Sequence, residues 1–92
     1  MRLKEVLSDT DSLDEYDVIY AKRPWSLNAE AYVVRYQEGQ TVIRFFEDAP
    51  SFEYFLEAPL VKDIRQQVED AGRSSDEVLD VLLYYAENDA FP

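Results

Sequence analysis

Ser51-Phe52-Glu53-Tyr54-Phe55-Leu56-Glu57-Ala58-Pro59-Leu60-Val61-Lys62-Asp63-Ile64 changes its hydrophobic period midway. Over 51–57 the pattern alternates, with Phe52, Tyr54 and Leu56 on one face and Glu53, Phe55 and Glu57 on the other. That is the period-2 signature of a strand, here read as antiparallel. From Pro59 the period lengthens, and Leu60, Val61, Ile64 and Val68 form the stripe of an amphipathic helix. Proline suits a helix's first turn, where its missing N–H costs nothing. A strand therefore hands over directly to a helix.

Downstream, Gly72 is a good helix stop, and Ser74 and Glu77 have the capping-box spacing of a second start. This last helix is expected over 75–88. Its apolar set (Val78, Leu79, Val81, Leu82, Leu83, Tyr85, Ala86) covers most of the circumference, and Asp76, Asp80, Tyr84 and Glu87 form a narrow polar stripe. Such a helix is packed on both sides or keeps an apolar face for a partner, which leaves a homodimer open. Packing on both sides is the ordinary outcome.

Upstream, Val18 to Lys22 reads as a short strand ended by Arg23-Pro24. Residues 29–36 and 41–46 are rich in strand formers, and Gln37-Glu38-Gly39-Gln40 between them reads as a hairpin loop. Ala49-Pro50 breaks the pattern before the strand at 51. Leu3, Val6 and Leu7 predict a short helix over about 2–8, followed by a loop at Asp9-Thr10-Asp11-Ser12. Strands followed by helices give one α+β domain over 1–92: a short N-terminal helix, an antiparallel sheet of three to four strands, and two C-terminal helices on one face.

Composition narrows the function. The chain has 92 residues, twenty Asp and Glu against nine Lys and Arg, a net charge of −11, and neither histidine nor cysteine. At 47% apolar residues with thirteen aromatics it folds rather than forming an acidic tail. Without His or Cys, no serine has its usual base and zinc lacks its usual ligands, so the expectation is a binding protein, not an enzyme, with no cofactor and no metal. Asp9-Thr10-Asp11 opens like a calcium loop, but Leu13, Asp14 and Tyr20 stand where that loop needs other residues. The longest apolar run, Val81 to Ala86, is far short of a membrane span, and no signal-type segment begins the chain. The expected setting is cytoplasmic, away from membranes.

The charge is uneven: residues 1–17 carry −4, residues 18–46 carry +2, and residues 47–92 carry −9. Such a field repels nucleic-acid phosphate, which argues against direct nucleic-acid binding, and attracts basic proteins. Acidity for solubility alone is the plainer alternative. The candidate partner-binding residues are Glu53, Glu57, Asp63, Asp76, Asp80, Glu87 and Asp89, with Tyr54 and Tyr84 as aromatic anchors. Trp25, after the proline break, reads as a core plug rather than an anchor, and Phe91 as the residue that ties the end down.

Trp25-Ser26-Leu27, the strand ending Tyr54-Phe55-Leu56-Glu57, and Tyr84-Tyr85-x-x-Asn88-Asp89-Ala90-Phe91 together resemble a family of small uncharacterised bacterial proteins. Some of its members sit among immunity proteins of bacterial toxin systems. The resemblance spans roughly 18–91 and adds no catalytic residue; the N-terminal acidic segment contributes nothing to it. It implies an inhibitor that covers the basic active site of a toxin, such as a nuclease, with charge complementarity speeding the encounter. The alternative is a nucleic-acid mimic or adaptor that binds a basic host or phage protein.

Overall fold

The computed structural model describes residues 1–46 and 49–92. In chain order the elements are α1 (Leu3–Ser8), β1 (Asp17–Lys22), β2 (Ala31–Arg35), β3 (Phe45–Phe46), β4 (Ala49–Glu57), α2 (Ala58–Asp70) and α3 (Ser75–Asn88). The strands form one antiparallel sheet in the order β2-β1-β4-β3. The helices share one face of it, as the strand-then-helix pattern predicts.

The core on that face explains the helical periods. Leu3, Val6 and Leu7 of α1, Val61, Ile64 and Val68 of α2, and Val78, Leu79, Val81 and Leu82 of α3 bury together against Ile19, Ala21, Phe55 and Leu56 of the sheet. Pro59 sits in the first turn of α2, and Gly72 ends that helix region with φ of +77°. The box at Ser74 forms as spaced: the Ser74 hydroxyl accepts from the Glu77 N–H, and the Glu77 carboxylate accepts from the Ser74 N–H. Trp25 is half-buried, packs edge-on against Phe55 at 5.0 Å, and donates its indole N–H to the Ala21 carbonyl at 3.1 Å. The Phe91 ring packs at 5.3 Å from Tyr85, yet remains about half exposed.

Four local expectations are corrected. The 9–12 segment is not all loop, because Thr10–Ser12 makes one 3₁₀ turn. The strand after Ala49-Pro50 begins at Ala49, so the proline lies inside it. Its missing N–H is harmless there, since the β1 ladder starts only at Phe52 and the β3 register jumps from Ala49 to Glu53. The alternation in β4 breaks at a β-bulge: Tyr20 faces Tyr54 while Ile19 faces Leu56, which leaves Phe55 as the extra residue. Phe55 and Leu56 therefore both enter the helix-side core, and Glu57, opposite Val18, turns to the other face with Phe52 and Tyr54.

The fourth correction concerns the hairpin. The turn at 37–40 forms, with the Gln40 N–H on the Gln37 carbonyl and Gly39 at φ of +80°, but β2 pairs with β1 and β3 pairs with β4. Tyrosine hydroxyls on the open face of the sheet explain the difference. Tyr20 is fully buried and donates to the Ile43 carbonyl at 2.6 Å, so it accepts from the Tyr36 hydroxyl at 2.6 Å. This pulls residues 41–44 across the open face instead of along β2. A buried hydroxyl without a partner would cost about 1–3 kcal/mol, which outweighs the strand preference of so short a segment.

Candidate functional site

The helical layer exposes carboxylates on both of its long helices. Asp63, Glu69 and Asp70 are exposed on α2, and Asp76, Asp80 and Tyr84, spaced four apart, are exposed along one line of α3. The bases of this layer do not neutralise that line. Lys62 donates to the Leu13 carbonyl at 2.7 Å, and Arg65 to the Leu7 carbonyl at 2.6 Å, so both heads turn towards the N-terminal segment. Arg73 pairs with Glu77 one turn on, at 2.7 Å, and lowers the Glu77 carboxyl below its ordinary value.

Glu53, Glu87 and Asp89 lie at the other end of α3. Arg23 stands between the first two: its Nε donates to Glu53 at 2.6 Å, and its Nη1 spans both Glu87 oxygens at 2.7 and 2.9 Å. Its guanidinium also lies 3.5 Å from the centre of the Trp25 ring, a cation–π contact. Asp89 caps α3 in the left-handed conformation, φ 55°, and donates its N–H to the Tyr85 carbonyl. Arg23, Trp25, Glu53, Tyr54, Tyr85 and Asp89 line a groove of about 410 Å³ between this helix end and the second half of β4.

The candidate residues therefore divide. Asp63, Asp76, Asp80 and Tyr84 share the helical layer with free carboxylates, while Glu53 and Glu87 are drawn together by Arg23. Glu57 is on the opposite face of the sheet from Glu53 and accepts from the Tyr54 hydroxyl at 3.0 Å. Burial, with the Glu57 charge behind it, pushes the Tyr54 phenol up. Arg23 was missing from the sequence-based set. Its sequence signal was weak: the second of two adjacent bases, Lys22-Arg23, before Pro24-Trp25 in the one net-positive stretch of the chain. Among the described residues, no three His, Cys, Asp or Glu side chains come together as a metal site, and no helix is long and apolar enough to cross a membrane.

The fold is that of a small α+β domain whose helical layer exposes several carboxylates. The chain is a member of the family described as domain of unknown function DUF7716, whose model matches residues 1–91. The match includes the N-terminal segment, which the resemblance over 18–91 left out. No curated protein and no solved structure matches the chain.

Proposed function

We propose that this domain is an immunity or antitoxin-like protein that binds and neutralises a basic bacterial toxin, a nuclease by preference, in the cytoplasm and without a reaction of its own. The observation that carries this reading is the helical face. Asp63, Asp70, Asp76 and Asp80 are exposed there, and Lys62 and Arg65 of the same layer are bonded elsewhere. A field of one sign steers a basic partner and raises its association rate, and Tyr84, 44% exposed beside Asp80, supplies apolar contact area.

The test begins with capture of the partner from bacterial lysate at low and high salt, identified by mass spectrometry. Association with the purified partner is then followed for the wild type and for Asp63→Lys, Asp70→Lys, Asp76→Lys and Asp80→Lys combined. The expected result is an association rate lower by about tenfold or more at low salt, with a flattened salt dependence. An unchanged rate would remove the helical face from the interface. A captured host DNA-binding protein in place of a toxin would favour the nucleic-acid mimic.

A further inference from the structure

The outer edge of β2 is only partly covered. Lys22–Glu30 and Tyr16–Tyr36 are bonded pairs of the β1–β2 ladder, so Ala31, Val33 and Arg35 direct their N–H and C=O groups away from β1. The N-terminal residues take the first of these positions: the Ala31 N–H donates to the Met1 carbonyl, and the Leu3 N–H to the Ala29 carbonyl. Among the described residues no strand pairs beyond that point, and β2 ends the sheet. Of the segment expected there, 41–46, Ile43 is held by the Tyr20 and Tyr36 hydroxyls, and Arg44, Phe45 and Phe46 bond to β4 on the far side of the sheet.

A groove of about 580 Å³ runs beside the uncovered stretch, its apolar lining made by Met1, Val6, Leu13 and Val33. Its charged side chains are Glu5, which already accepts from the Arg2 N–H at 2.9 Å, Asp9, Asp17 and Arg35, and the Met1 amino group stands at its rim. Asp17 and Arg35 are joined at 2.9 Å and offset each other, so two carboxylates, Glu5 and Asp9, face the Met1 amino group and the groove stays net acidic. Asp9 is exposed, and its carboxylate makes no hydrogen bond or ion pair among the described residues.

We propose that this edge and groove form a second binding site, which takes an extended basic peptide segment as an added strand of the sheet. The main chain of the segment bonds to the Val33 and Arg35 backbone groups. Its groove-facing side chain is a lysine or arginine, with the stem on Val6, Leu13 and Val33 and the head towards Glu5 and Asp9. The alternate side chains fall beside Tyr32 and Val34 on the open face, where a β-branched or aromatic residue packs. Charge selects this occupant over a second copy of the chain. A copy would bring another net −11 to the same edge, with only two outward-bonding positions left to pair. The site does not depend on the helical face proposed above.

The test is titration of the 15N-labelled full chain with acetyl-Val-Lys-Val-Lys-Val-Lys-amide, read by amide shifts and hydrogen exchange. The expected result is perturbation centred on Val33 and Arg35, slowed exchange at both amides, and no binding by the glutamate counterpart or by a peptide N-methylated at alternate residues. Val33→Pro removes an outward N–H without breaking the β1 ladder and is expected to weaken binding about tenfold. Asp9→Lys, which leaves the backbone edge intact, also weakens it. The combined helical-face variant binds the peptide as the wild type does. No perturbation, perturbation centred on α3, binding of the N-methylated peptide, or the same edge shifts produced by concentrating the chain alone would overturn the proposal.

Discussion

Asp17 is the only buried carboxylate among the described residues, and three donors account for its position. Arg35 donates to it twice, at 2.9 and 3.2 Å, and the Asp14 N–H donates at 2.7 Å. The Arg35 hydrogen bond is the largest cause holding its carboxyl below the ordinary value, and burial works against it. The folded state therefore binds this proton less readily than the unfolded chain. The resulting stability is fully present above the unfolded carboxyl's range, about pH 4, and is lost as pH falls through the lower folded value. Asp17→Asn is expected to cost about 1–2 kcal/mol at neutral pH, moderated by the exposure of Arg35. In urea titrations its acid limb should also be flatter than the wild type's; an identical limb would mean that other carboxylates carry the acid sensitivity. Asp17 was not legible as special, because its partner lies eighteen positions on, across a strand pair. Arg23 was hidden for the same reason: it joins residues thirty and sixty-four positions away. The acids of the candidate surface could be read as residue types, but the bases that do or do not neutralise them are set by tertiary contacts.

At the scale of elements, local signals succeeded where local physics decides. Both C-terminal helices, their proline and glycine ends and the box at Ser74 follow from spacing and backbone preference alone. Ser74→Ala is expected to destabilise the chain by about 1 kcal/mol, seen as a lower urea midpoint with an unchanged slope. The sheet was legible as strand content but not as pairing. Strand formers at 29–36 and 41–46 do not reveal that Ile43 will serve a tyrosine hydroxyl, and alternation over 51–57 cannot announce the bulge that sends Phe55 and Leu56 inward together. Partner choice in a sheet is settled by contacts from the whole chain, which a single window does not contain.

For the whole molecule, charge is the dominant property. A chain of −11 whose acids crowd the N-terminal segment and the helical layer repels itself in the folded state. Added sodium chloride screens that repulsion, so the thermal midpoint is expected to rise from low to physiological salt in scanning calorimetry. A midpoint that falls instead would mean that ion pairs such as Arg23 with Glu53 and Glu87 outweigh the repulsion.

The strand order has a consequence for the timing of synthesis. β1 is central, yet its second neighbour is β4, so that Val18 waits for Glu57 and Lys22 for Phe52. As the chain leaves the ribosome, β1 and β2 can meet early, but one side of β1 stays unpaired until β4 emerges, and the sheet stays uncovered until both long helices have followed. Every chain cut short before the last helix carries an open sheet and an apolar face. Such a chain exposes the unpaired edge and apolar surface that promote aggregation, so shortened versions are expected to precipitate where the full chain stays dissolved.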